Sequence, residues 1–313
     1  MKNRVEIVDV APRDGLQNEK APFSTEQKLE LINGLIDAGI RRMEVASFVH
    51  PKRVPQMADA EDVIAGLPDR ADVTYIGLTL NMRGYQRAIA TRDGGRRGLD
   101  EVGCVIVASE TFSQKNQGQT IEEGISVASE IISAAHSDGL RGQATISAAC
   151  GCPFEGEVDP RLVIDIAKQV ADLNPHEIAI ADTIGVGTPK QVFELFSALR
   201  RALPDMPLRG HFHNTRNTGI ANAWAAYMAG ARILDSSVGG LGGCPFAPAA
   251  TGNIGTEDLL YMLERSGIET GVSLEKIIDV SKSLEPILGR PTPAMVSKAG
   301  GFPAPAQETT CVA

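Results

Sequence analysis

Cysteine is scarce in this chain, with five residues among 313. They are too few and too scattered for a disulfide framework, and an odd number leaves one unpaired. Cys150 and Cys152 flank a single glycine, so the Cys-x-x-Cys redox spacing is missing, and no second pair completes a zinc site. Both are expected to be buried structural thiols. Cys311, three residues from the end with no visible partner, is expected to be exposed. Long apolar runs are also lacking. No stretch reaches the roughly 18 consecutive apolar residues of a membrane span, and mean hydropathy is −0.05, so a soluble protein is expected. Positive charge is in deficit: 30 Lys and Arg stand against 39 Asp and Glu, a formal net charge of −9. Such a surface repels phosphate backbones, so neither nucleic acid nor membrane is an expected partner. Met1-Lys2-Asn3-Arg4 runs straight into Val5-Glu6-Ile7-Val8 with no apolar signal core, and a cytoplasmic location is expected.

What the chain does contain is alternation. Eight short β-branched runs begin near Val5, Arg42, Asp72, Glu101, Arg141, Glu177, Pro207 and Arg232, separated by helical patterns. Val73 to Leu80 and Val102 to Val107 are continuous apolar segments, as in strands buried on both faces. Ser24 stands three residues before Gln27, opening an apolar helical stripe that Gly39 closes. Thr188-Pro189 reads as an N-cap with proline at the first helical position. Further helices are predicted near 120–136, 160–173, 218–228 and 257–266. Eight strand-then-helix units with no linker fit an α/β fold, a (β/α)8 TIM barrel, over residues 1–285. Residues 286–313, rich in proline, alanine and glycine, are expected to form a C-terminal extension, a final helix and then a partly disordered tail.

Chemistry in such barrels sits at the C-terminal strand ends and the loops after them. His211-Phe212-His213-Asn214 ends the seventh run, and side chains two apart on a strand share a face. Both imidazoles then point into the mouth, as half of a metal site; a hydrogen-bonded core pair is the alternative. Asp14 after the first strand and Asn253 after the eighth can converge on them, because strands one, seven and eight are contiguous in a closed barrel. Two imidazoles, a carboxylate and an amide oxygen without thiolate favour Mg²⁺ or Mn²⁺ over structural zinc. Arg13 is a cation suited to a developing enolate oxygen, or alternatively a rim salt bridge. Glu44, inside an apolar strand, needs an arginine or a metal-bound water as partner. Asp182 reads equally as a catalytic group or as a turn residue before Thr183. The loop from Gly239 to Phe246 carries four glycines and Cys244; it is either a phosphate cradle or a lid whose thiol moves a proton.

Pro12 to Lys20, Glu44 with Ser47-Phe48-Val49, Asp182 to Gly187, His211-Phe212-His213, and Gly239 to Asn253 followed by Glu257-Asp258-Leu259 together resemble the 3-hydroxy-3-methylglutaryl-CoA lyase family. The resemblance runs from Val5 to about Leu274. It implies a divalent-metal-dependent barrel lyase that cleaves an acyl-CoA substrate into acetyl-CoA and acetoacetate, as in leucine degradation, and it suggests a homodimer. It implies Asp14, His211, His213 and Asn253 as ligands of Mg²⁺ or Mn²⁺, Arg13 polarising the thioester carbonyl, and Cys244 in proton transfer. It also places Glu44 and Asp182 in the active site. Asn18 and Lys20, near the mouth, are candidates for reaching CoA phosphates.

Two departures stand out. Asn214-Thr215-Arg216-Asn217 replaces the family's usual Asp-Thr-Tyr-Gly, and Asp9 replaces its strand-one glutamate. An altered acyl pocket is expected, accepting a different 3-hydroxy-3-substituted acyl-CoA. Claisen-type synthases of the isopropylmalate and homocitrate kind are the rival enzyme class, and Asn214 speaks for them. The Gly-Gly-Cys-Pro-Phe stretch and the lack of a following regulatory domain speak against. A non-catalytic binding barrel has no reason to keep these groups on separate strand ends.

Overall fold

The computed structural model describes residues 3–243 and 252–303. Eight parallel strands close into a barrel in sequence order: β1 (Glu6–Asp9), β2 (Arg42–Ser47), β3 (Thr74–Leu78), β4 (Glu101–Val107), β5 (Arg141–Ser147), β6 (Ile178–Asp182), β7 (Leu208–Phe212) and β8 (Ile233–Ser236). Glu6 to Asp9 pair with Ile233 to Ser236 and shut the ring. Every strand starts within two residues of its expected position. The reason is local: each run begins where a turn segment gives way to residues that pack on both faces.

The helices are α1 (Thr25–Ala38), α2 (Ala60–Ala65), α3 (Met82–Ala90), α4 (Glu110–Gln117), α5 (Ile121–Ser137), α6 (Pro160–Ala171), α7 (Pro189–Ala202), α8 (Gly219–Met228), α9 (Thr256–Arg265), α10 (Leu274–Leu288) and α11 (Val296–Ala299). The capping box is formed: Gln27 N donates to Ser24 Oγ and Ser24 N to Gln27 Oε1. Gly39 ends α1 at φ 107°, a conformation that disfavours side chains. Thr188 Oγ1 caps α7 with Pro189 behind it. Thr218 departs from the cap logic: its hydroxyl donates to Gly187 O and ties the start of α8 to the preceding loop. The short helices α2, α3 and α4 were not among the expected elements. At the C-terminal end, α10 begins before Val280 and runs across the expected boundary at residue 285, with Pro286 in its last turns. The tail beyond 303, with Cys311, lies outside the described residues. No helix among the described residues is long and apolar enough to cross a membrane.

The barrel interior is less aliphatic than its strands suggest. Arg42 on β2 bonds Glu101 on β4 at 2.7 Å and Glu177, just before β6, at 2.8 Å. Since β2 and β6 are not neighbours, these ion pairs cross the interior near the strand starts. Arg209 on β7 joins Glu177 at 3.1 Å. All four side chains are buried, where removal of one partner is costly.

Candidate active site at the mouth of the barrel

The chain leaves β1 in a π-helical turn, Ala11–Gly15. The backbone N–H groups of Arg13, Asp14 and Gly15 all converge on Val10 O at 2.8–3.2 Å. Single π-turns recur at functional sites because they re-aim side chains that a regular turn would bury. Gly15 is required here, since a Cβ would lie 2.8 Å from Ser237 Oγ. Asp9 braces the turn: its carboxylate accepts from Ala11 N at 2.8 Å and from Thr256 Oγ1 at 2.7 Å. Burial pushes this carboxyl up to about 7, against the lowering effect of both hydrogen bonds. The shortened acid is thus a buried strut of the turn.

Arg13 forks between two carboxylates, with Nη1 2.7 Å from Asp14 and Nη2 2.6 Å from Glu44. Glu44 reaches it because β2 is bulged: Glu44 pairs with Ile76 and Ala46 with the next residue, Gly77, so Val45 is extra. The inward glutamate therefore has the arginine partner its burial demands. Burial works against the Arg13 charge, but Glu44 and Asp14 outweigh it and hold the guanidinium above its ordinary range. For Asp14, burial would raise the carboxyl, yet Arg13, the two histidines and the Asn253 amide outweigh that and hold it at about 2.

His211 and His213 come from one face of β7 and the residue after its end, with ring centroids 5.2 Å apart. Phe212 between them turns outward, 6.2 Å from Phe196 of α7 between ring centroids. Asp14, His211 and His213 bring one ligand atom each within 4.8 Å of one another, a spacing that suits a metal ion. His213 turns its Nε2 toward Asp14, 3.9 Å from Oδ2, while its Nδ1 is buried with no hydrogen-bond partner. Burial and the neighbouring His211 push His213 down to about 4, so it stands as a neutral imidazole at neutral pH. Burial also opposes a charge on His211, but the hydrogen bond and charge of Asp235 raise it overall.

Asn253 enters beside His213 through an antiparallel bridge. Its Nδ2 donates to Asp14 Oδ2 at 2.8 Å and to Leu241 O at 3.1 Å. The amide nitrogen thus faces Asp14, and service as an oxygen ligand requires the amide to turn over. The donor set of carboxylate, two imidazoles and amide fits a hard or borderline divalent cation.

Both Asp182 oxygens are engaged by the loop that follows, accepting from Val186 N at 3.0 Å and Gly187 N at 2.9 Å. This is the turn-residue arrangement, and burial pushes the carboxyl up. Asn18 and Lys20 lie exposed at the rim. Asn18 Nδ2 donates to Gly243 O at 3.0 Å, fastening the glycine-rich loop to the β1 side. Cys244 lies outside the described residues. Cys150 and Cys152 are buried free thiols as expected. Arg216 sits at the mouth with Nη1 donating to the carbonyls of Ile184 and Gly185 at 3.2 and 3.1 Å.

Sequence reasoning missed Asp235, which meets His211 Nδ1 at 3.0 Å, and gave no role to Glu257 of the Glu257-Asp258-Leu259 motif, whose carboxylate receives Gly239 N at 2.9 Å and Ser297 Oγ at 2.8 Å. A usable signal existed for Asp235: an acid directly after Ile233-Leu234, within a strand of a closed barrel, needs a partner where it is buried.

The HMGL-like family model matches residues 4–284. The chain is 39% identical over 299 residues to the 3-hydroxy-3-isohexenylglutaryl-CoA/hydroxy-methylglutaryl-CoA lyase of Pseudomonas aeruginosa, covering 96% of this chain and 98% of that one. It is 42% identical over 306 residues to the (R)-citramalyl-CoA lyase of Chloroflexus aurantiacus, covering 95% of each. An HMG-CoA lyase structure from Acinetobacter baumannii, in complex with coenzyme A and 3-methylmalate, superposes with a TM-score of 0.91 at 38% identity over 97% of this chain and 98% of the other. With likeness of this extent in both sequence and barrel geometry, the chain belongs to the HMGL-like family.

Proposed function

We propose that this protein is a divalent-cation-dependent carbon–carbon lyase that cleaves 3-hydroxy-3-methylglutaryl-CoA, or a close 3-hydroxy-3-substituted acyl-CoA, to acetyl-CoA and a 3-oxo acid such as acetoacetate. The observation that carries this reading is the convergence of Arg13, Asp14, His211 and His213, from two separate strand ends, on one point of the mouth. Asp14, His211, His213 and Asn253 would hold the cation, Mg²⁺ or Mn²⁺. When bound, the cation supplies Lewis acidity that lowers the pKa of the tertiary hydroxyl.

The hydroxyl loses its proton to a base and its oxygen becomes the carbonyl of the 3-oxo product. The C2–C3 bond breaks, its electron pair passes to C2 and the thioester carbonyl, and the enolate of acetyl-CoA results. Arg13 presents fixed donors to that enolate oxygen, pre-organised by Glu44 and Asp14. A proton then returns to C2, and Cys244 is the donor in this scheme. Asp182 shapes the pocket by holding the 182–187 turn. Lys20 at the rim suits CoA phosphate groups; Asn18 contributes by anchoring the loop before Cys244. A homodimer in the cytoplasm completes the reading.

The acyl group is the variable part. Arg216 places a cation at the mouth where the family's usual tyrosine stands, and relatives at about this distance are named for both branched and short acyl groups. The test is acetyl-CoA release from methylglutaryl, isohexenylglutaryl and citramalyl thioesters with and without EDTA. EDTA-sensitive release from at least one is expected. Activity that survives EDTA, or condensation of acetyl-CoA in place of cleavage, overturns the proposal.

A further inference from the structure

The buried charges below the mouth form a continuous chain that ends on a proposed metal ligand. Arg42 Nη1 and Nη2 grip both oxygens of Glu177 at 2.8 Å each. Arg209 Nη1 lies 3.1 Å from the same carboxylate, and its Nε lies 3.4 Å from Asp235 Oδ1, an ion pair without a hydrogen bond. The other oxygen, Asp235 Oδ2, is 3.0 Å from His211 Nδ1. Asp235 is 4% exposed, and it lies on β8 beside the strand that carries His211.

An ionised carboxylate is acceptor-only, so the imidazole nitrogen facing it must carry the hydrogen. With Nδ1–H donating to Asp235, Nε2 of a neutral His211 is the lone-pair nitrogen, and the ring cannot swing without breaking a buried charge-assisted bond. Outer carboxylates of this kind fix the tautomer and raise the basicity of metal-bound histidines, and losing one costs 10–100-fold in metal affinity. His213 differs in having no such partner, since its Nδ1 is orphaned.

We infer that Asp235, ion-paired with Arg209 and through Glu177 linked to Arg42, is the positioning residue for His211, presenting its Nε2 to the cation, and that the two histidines are therefore unequal ligands. This relay presupposes the metal-binding reading of the mouth. The experiment is Mn²⁺ binding to the full chain, followed by the paramagnetic resonance signal of the free ion. The wild-type chain, Asp235→Asn, His211→Ala and the double variant are compared.

Asp235→Asn keeps the volume and is expected to weaken Mn²⁺ binding 10–100-fold. In the His211→Ala background the same change is expected to cost less than twofold, because there is no ring left to orient. A histidine ¹⁵N spectrum of the metal-free wild-type chain is expected to show His211 in the Nδ1–H tautomer, and this reading does not depend on any variant folding. Asp235→Asn within twofold of wild type, an equal loss with and without His211, or an Nε2–H tautomer overturns the relay alone. A wild-type chain that binds no Mn²⁺ overturns the metal reading and the relay with it.

Discussion

Replacing Arg13 tests the proposed chemistry most directly. Its guanidinium is mostly buried, 13% exposed, and forks to Asp14 at 2.7 Å and Glu44 at 2.6 Å, so its position is set before any substrate arrives. Loss of one such pre-organised donor to a developing oxyanion costs about 10²–10³ in kcat, or roughly 3–4 kcal/mol. Arg13→Met keeps the apolar stem and removes the fork. It also removes a cation beside Asp14, which makes the ligand cluster more negative, so Mn²⁺ binding should hold or tighten while turnover collapses. Arg13→Lys supplies one point charge that cannot bridge both carboxylates as the planar fork does, and at least a tenfold fall in kcat is expected. The assay is steady-state acetyl-CoA release at saturating Mn²⁺, paired with a Mn²⁺ titration. An Arg13→Met chain within tenfold of wild-type kcat refutes the enolate role. A parallel loss of Mn²⁺ affinity would show instead that Arg13 serves to build the metal site.

Two further predictions concern the frame. Asp9, fully buried, has its carboxyl raised from 3.8 to about 7 chiefly by desolvation. The native state therefore holds this proton more tightly than the unfolded chain. The associated stability is present below pH about 4 and is lost as pH rises through about 7, at most about 4 kcal/mol. Asp9→Asn removes that titration, and urea unfolding at pH 5 and pH 8 should show a smaller decline for the variant; an unchanged decline refutes the assignment. Arg42→Met leaves Glu101 paired with Arg141 and Glu177 with Arg209, and a loss of about 3–5 kcal/mol in urea unfolding is expected. A loss below about 1 kcal/mol would show that the remaining arginines compensate.

What the sequence determined by itself is what short-range physics writes into it. Turn segments giving way to apolar runs placed all eight strands. Ser24 with Gln27, Gly39, and Thr188 with Pro189 marked helix ends through bonds made within a few residues. Strand periodicity put His211 and His213 on one face, and barrel closure brought Asp14 and Asn253 to them. The tertiary structure alone decided how those groups are aimed. The π-turn depends on Gly15 meeting Ser237, and the Val45 bulge depends on the register of β3. Asp182 serves the turn because Val186 and Gly187 N–H groups close on it. Asp235 matters only because β8 lies beside β7, and Arg42 only because its carboxylates stand across the barrel. Such partners lie 24 to 135 residues apart in the chain, where no local pattern links them. Their pairing follows from the cost of leaving a charge unpaired in a closed interior, which exists only once the barrel has formed.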